Sequence, residues 1–522
     1  MKKSKVIDNK LILVIFKVII ITSVFFIILF QFKEKLHRNS QPPSLEWSKE
    51  VKVSTGNVTT GVKLIKYQGN YILAHNDGNY IELLRMDEVG NILNKERIPI
   101  DFGEIYNTAL IEDGTYLYLF VAPLNWGTNL ASFKLDKNFH VLGTKEYPGQ
   151  HNVTQVDDNT CIVSSFQKAE LINYKENIFK SVEGDMYSET CGVKTKKGYL
   201  FIYSNKLNGF EYLLIDNGKI TQKNNFSEFI PPSAISNVNN VTISADNEYA
   251  YLMLSIGVRG GKTKSQRCIQ FGLNNNFVKT YNLKDLPLTD FISLKSNSGG
   301  RFLAKSLIDG QITEIIMKDG KIHYERKISR LDKLNTYQYG NGDYAVFCNY
   351  QKTNNYDIYI TSKSEDFRVK YSGRTWIEKK RALSSEITGI LSIGFQIFTL
   401  AFNWIIPILI IISVYSIVGF KYKYKTQKNY FVVFSVAAGI LKSYVTYSII
   451  FNKYITMLPQ IMNSSVKIIG ICITISAISY GYSYAKYCME EGGLFIVRFL
   501  PGLIADTLIT LLLVVPFITK LY

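Results

Sequence analysis

From Trp47 to Ser372, short apolar runs alternate with polar turns in one fixed order, and the stretch from Ile111 to Tyr147 shows the unit. A turn at Asp113 and Gly114 opens a continuous apolar run, Tyr116 to Val121, that suits a strand buried on both faces. The loop Ala122 to Asn129 leads to a second strand, Leu130 to Leu135. A polar hairpin at Asp136 to Asn138 then turns the chain into a third, Val141 to Tyr147. The same order returns about every 46 residues, the spacing of a repeat built from several strands.

Two turn series keep step along this region. The strand-opening turn recurs at Gly69-Asn70, Gly114-Thr115, Asn159-Thr160, Gly198-Tyr199, Asn247-Glu248, Gly300-Arg301 and Gly342-Asp343, and the second runs from Asp87 to Gly90 through to Lys363 to Asp366. Seven repeats in register predict an all-β seven-bladed propeller over 47–372, in which each sheet buries its faces against two neighbours. A sandwich or barrel does not call for two turn series in register. The phrase Ser244-Ala245-Asp246-Asn247-Glu248-Tyr249-Ala250-Tyr251-Leu252 resembles the S-P-D-G-x-x-L-Y phrase of bacterial propellers of the TolB and lactonase types. Ala245 and Asn247 replace its Pro and Gly, so the likeness is generic to the fold. In propellers of this kind the loops joining second and third strands gather on one face and commonly form the binding surface.

Two other regions are oily. Leu11 to Phe32 contains one charge, Lys17, and is long enough to cross a bilayer. No small-residue cleavage site follows it, so it reads as an uncleaved transmembrane signal anchor over 11–32, between a basic tail at 1–10 and a linker at 33–46. After the propeller a basic hinge and interfacial segment is expected at 373–398, then a four-helix transmembrane bundle over 399–522. Ile387 to Phe420 contains no formal charge. A straight helix of that length would reach roughly 50 Å against a core of about 30 Å. The span is therefore placed near Thr399 to Phe420, with a tight re-entrant pair as the alternative. Tyr430 to Phe451, Ile468 to Ala485 and Leu494 to Ile518 supply the rest. Lysines flank both ends of the second span. Four lysines in the N-terminal tail break the tie, placing the N-terminus inside and the propeller outside a multi-pass protein of the cell membrane.

Composition narrows the function classes. The net charge of +17 is spread through strands and turns instead of forming a stripe, which argues against nucleic acid as a partner. The six cysteines include no C-x-x-C pair and read as buried thiols. Arg259-Gly260-Gly261-Lys262-Thr263 lacks the first glycine of a phosphate loop and precedes a strand-like run. The five histidines show no metal-ligand spacing, and there is no G-x-S-x-G elbow, so no catalytic, metal or cofactor site is assigned.

Candidate binding residues on the loop face are His75, Asp77, Trp126, Lys206, Arg259, Lys262, Tyr350 and Lys352, aromatic or polar types that anchor interfaces. Within the spans, Lys442 and Asp506 sit at matching depths of helices that run the same way, and Arg498 lies near the start of the last. Such charges form either a structural pair or an ion path. The sequence therefore predicts a membrane-anchored extracellular module that binds or senses a protein, peptide or surface glycan within a membrane complex. The alternative is a transport-associated or permease-associated subunit using Lys442 and Asp506.

Overall fold

The computed structural model describes the chain apart from residues 1, 59–60, 102, 126, 184–185, 206–208, 227–237, 258–263, 274–277, 284–287, 295–299, 309, 319–320, 332–334, 353–354, 419–423, 455–457, 490–493 and 519–522. It divides into two units, Pro42–Gly373 and Met1–Gln41 with Arg374–Tyr522.

Among the described residues the first unit holds seven four-stranded antiparallel sheets. In the first blade the order is β2 (Val62–Tyr67), β3 (Asn70–Asp77), β4 (Tyr80–Met86), β5 (Ile92–Pro99). Gln68 and Gly69 join β2 to β3 with φ of 47° and 78°, the left-handed pair that a two-residue hairpin favours. Alternate residues then serve opposite neighbours. Tyr71 and Leu73 pack with Tyr344 and Val346 of the last blade, while Ile72 and Ala74 pack with Leu110 and Leu117 of the next. This is why the central strands read as largely apolar runs: with a period of two and both faces covered, a polar residue such as His75 or Glu82 is buried and needs partners. The outermost strand β5 has one covered face and is mostly exposed, and its polar composition protects the edge.

The second blade is β6 (Ile105–Glu112), β7 (Leu117–Pro123), β8 (Leu130–Leu135) and β9 (Val141–Tyr147). The third is β10 (Asn152–Gln155), β11 (Thr160–Ser164), β12 (Lys168–Asn173) and β13 (Ile178–Glu183). Blades four to six occupy 186–225, 238–282 and 288–327. The seventh combines three strands from 335–362 with β1 (Val51–Gly56), which pairs antiparallel with Asn355–Ser362 and supplies the outer edge. The innermost strands touch in sequence and β2 meets Asn335–Asn341, closing the ring. Trp47, just before β1, is fully buried among Leu294, Leu303 and Phe347 and donates from Nε1 to Glu314 Oε2 at 2.8 Å.

Five helices among the described residues of the second unit are long and apolar enough to cross a membrane, one N-terminal and four C-terminal. They are α1 (Lys2–Ser40), a run beginning at α3 (Trp376–Gln396), α5 (Tyr424–Val445) with its continuation to Tyr454, α7 (Ser465–Met489) and α8 (Phe495–Ile518). The short α2 (Glu365–Lys370) belongs to the propeller unit, and α6 (Asn452–Tyr454) ends the third span. The basic stretch expected as a hinge contains the first turn of α3. Thr375 Oγ accepts from Glu378 N and Glu378 Oε2 accepts from Thr375 N, a reciprocal cap that starts the helix there. From Trp376 the chain stays helical to Ile417 through a π-helical turn, Ile397–Ala401, and α4 (Phe402–Val418), with no re-entrant fold-back. α1 is fixed to its neighbours by polar contacts in an apolar setting. Gln31 Nε2 donates to the carbonyls of Leu512 and Leu513 at 2.5 and 3.1 Å, and Lys35 meets Glu386 at 2.9 Å. The six cysteines form no disulfide, and five of them are buried.

Candidate functional sites

The joints between second and third strands fall at 78–79, 124–129 and 165–167 in the first three blades, at one end of their sheets. Trp126, Lys206, Arg259 and Lys262 lie outside the described residues, and Lys352 ends the strand Tyr344–Lys352. Tyr350 meets Tyr356 edge to face at 5.5 Å. Asp77 accepts from Asn57 N at 2.9 Å and from Arg97 Nη2 at 3.0 Å.

His75 lies below the surface, 1% exposed. His75 lies opposite Glu82 of β4 and reaches Ser54 of β1, and the three form a buried cluster. Glu82 Oε1 accepts from Ser54 Oγ at 2.6 Å and approaches His75 Nε2 at 3.2 Å, while Oε2 accepts from Arg97 Nε at 3.0 Å. Lys95 adds a contact at 2.8 Å. Burial opposes ionisation of Glu82, but the hydrogen bonds from His75, Lys95 and Ser54 outweigh it and hold the carboxyl well below the usual carboxylate range. A Cβ on Gly56 would sit 3.0 Å from His75 Cε1, a contact tight enough that the imidazole would have to shift. The trio is not a nucleophilic relay. A relay places serine and acid on opposite ring nitrogens, whereas both sit at Nε2 here and Nδ1 faces Asn76 O at 3.1 Å. The cluster ties the closing strand to the first blade.

Among the described residues this end has a cavity of about 180 Å³ between the second and third blades, lined by Tyr106, Leu124, His151, Asn152 and Phe166 among others. Leu124 and Phe166 come from second-to-third-strand loops, and Tyr106 and His151 from the starts of the innermost strands. Tyr106, Leu124 and Phe166 are 48%, 44% and 42% exposed, although large apolar side chains elsewhere in these blades are mostly buried. The frame beneath them is rigid: His151 N donates to Ser164 O at 2.9 Å and Leu124 N to Glu104 O at 2.8 Å. Sequence reasoning reached the two loops and missed Tyr106, because a tyrosine opening an inner strand looks like any core tyrosine until the register is known.

In the helical unit, Lys442 and Asp506 meet at 2.5 Å with both side chains buried. Lys442 Nζ also donates to Cys472 O at 3.1 Å and Thr510 Oγ1 at 3.3 Å, and Ser476 Oγ donates to Asp506 Oδ1 at 3.0 Å. Asp506 Oδ2 and the hydroxyl of Tyr480 are buried without a hydrogen-bond partner among the described residues. Ser476 and Tyr480 also line an open cleft of about 380 Å³ between α5 and α7. Arg498 stands about two helical turns before Asp506, half-buried, with its carbonyl accepting from Ser483 Oγ at 2.7 Å. Among the described residues no three His, Cys, Asp or Glu side chains gather as a metal site.

Comparison with protein-family models and with curated proteins finds no match to this chain.

Proposed function

We propose that this is a membrane-anchored binding or sensing protein whose propeller faces the outside of the cell and takes a protein, peptide or glycan on its loop end. The observation that supports this best is the cavity between the second and third blades, where exposed aromatic and aliphatic side chains converge beside His151 and Asn152 on a hydrogen-bonded frame. Apolar surface flanked by a few polar groups is the usual composition of a recognition pocket. A photo-crosslinking side chain at Tyr106 in living cells should give a discrete adduct that Phe166→Ala removes. Placed at Phe179, equally exposed on the outer strand β13, it should give none. Identical patterns at the two positions would sink the assignment. Orientation is tested by Lys137→Cys in an exposed hairpin: an impermeant thiol reagent should label intact cells above the background of the unmodified protein, whose native thiols are buried except for the half-buried Cys488.

A second reading, a transport-associated subunit, is favoured by one observation: among the described residues the Tyr480 hydroxyl is buried without a hydrogen-bond partner, and Tyr480 lines the α5–α7 cleft together with Ser476, which bonds Asp506. It requires that Tyr480→Phe abolish activity of the complex with insertion and folding unchanged. The binding reading requires that this change be silent.

A further inference from the structure

Among the described residues of the helical unit, a recess lies between α1, α7 and α8, a groove of about 610 Å³ lined by Ile27, Phe30, Gly470, Ile471, Ile478 and Leu513 among others. Its walls are almost wholly apolar. Of its polar members, Thr474 Oγ1 is engaged with Gly470 O at 2.9 Å. Among the described residues the charged side chain in the lining is Lys467, exposed near the N-terminus of α7 and donating to Asn463 Oδ1 at 3.1 Å. The groove thus has an apolar floor and a cationic mouth.

Its length is informative. From Lys467 to Ile478 the helix rises by roughly 16 Å, half of a hydrocarbon core of about 30 Å. Lys467 stands at the end of a span, at the level where headgroups lie, and Ile478 reaches towards the midplane. The recess therefore extends through one leaflet and stops. Gly470 opens it: a Cβ built there meets nothing within 4 Å, whereas Gly439 and Gly481 on the helix contacts are closed off by neighbouring side chains.

We propose that this groove is a binding site for one lipid, its acyl chain lying along Gly470, Thr474 and Ile478 and its anionic headgroup held at Lys467. Charge complementarity selects the headgroup, and the length of the groove selects a chain that enters from the leaflet to which the start of α7 belongs. This site is independent of the propeller face.

The test uses the full-length protein, delipidated in detergent, exchanged into a mixture of phosphatidylglycerol and phosphatidylcholine and examined by native mass spectrometry. One tightly retained phosphatidylglycerol per chain is expected. Gly470→Leu should fill the groove and abolish retention. Gly394→Leu, on an open surface of α3 where a Cβ also meets nothing within 4 Å, should leave retention unchanged. Lys467→Gln should weaken the preference for phosphatidylglycerol about fivefold, the effect of one lysine near an anionic headgroup. Thermal unfolding of each variant in detergent confirms that loss of lipid is not loss of fold. Retention that survives Gly470→Leu, equal retention of both lipids, or equal loss in the Gly394→Leu control would each overturn the proposal.

Discussion

Glu82 shows how a single side chain is given its task by register. Its folded carboxyl is held low, so its contribution to stability is fully present above the ordinary value of 4.5 and is lost as pH falls from there towards the folded value. Glu82→Gln should therefore lower propeller stability at pH 7 by about 1–3 kcal/mol, the cost of leaving buried donors unmatched. The gap to the parent should close in acid as the parent protonates. Chemical denaturation at a series of pH values measures this, and a gap independent of pH would contradict the assignment. Gly56→Ala presses a methyl against the imidazole and should destabilise by about 1–3 kcal/mol, with His75→Ala in the same chain relieving most of it. None of this was legible in the sequence. His75 reads as a loop-face residue because the numbering shows its nearness to the turn but not that Ser54 and Gly56 of the closing strand lie against it.

At the level of elements the sequence was most informative where a period forces the geometry. In the first blade the recurring turns are the β2–β3 and β4–β5 hairpins, because a strand buried on both faces is largely apolar and is bounded by residues that tolerate left-handed backbone. Asn274 to Asn276 and Asp319-Gly320 lie outside the described residues, and Lys363 to Asp366 leads into α2 instead of a fourth strand. The innermost strands were harder to see. β6, IYNTALIE, mixes polar and apolar positions, since its ends reach the open face and the opposite rim. Helix rise is equally regular, so two spans that run the same way place Lys442 and Asp506 at matching depth, whereas their contact depends on which faces of α5 and α8 meet, and the sequence alone does not show that. The start of α3 was hidden because its basic first turns look like a hinge until the Thr375–Glu378 cap is recognised. A mutant cycle separates the roles of the pair. Lys442→Met strands a buried carboxylate and should cost about 3–5 kcal/mol, whereas Lys442→Met with Asp506→Leu should recover much of that. Thermal unfolding in detergent reads the fold, and activity of the complex reads the rest: recovery of both means the pair only packs α5 against α8.

On the scale of the whole molecule, the propeller behaves as an insertion. Its chain enters and leaves through the seventh blade, where Ser48 N donates to Ser362 O at 2.8 Å and Lys49 Nζ to Gly373 O at 2.8 Å, so its two ends lie side by side. The helices that continue from those ends, α1 and α3, are themselves neighbours joined by Lys35 and Glu386. A unit whose ends meet and whose ring is closed by its own two termini needs no help from the membrane helices to fold. Residues 42–373 produced alone should therefore be monomeric and unfold in one cooperative step, and 57–373, which lacks Trp47 and β1, should not. Both losses matter. Without β1 the strand Asn355–Ser362 becomes an open edge. Without Trp47 the buried Glu314 loses its indole donor and the core between blades six and seven loses its largest side chain. Trp47→Ala within 42–373 isolates the second effect and should cost about 3–5 kcal/mol in a denaturant titration. If 57–373 unfolds as cooperatively and at the same denaturant concentration as 42–373, the ring is held by its blade-to-blade cores alone and the closing strand is only a tether.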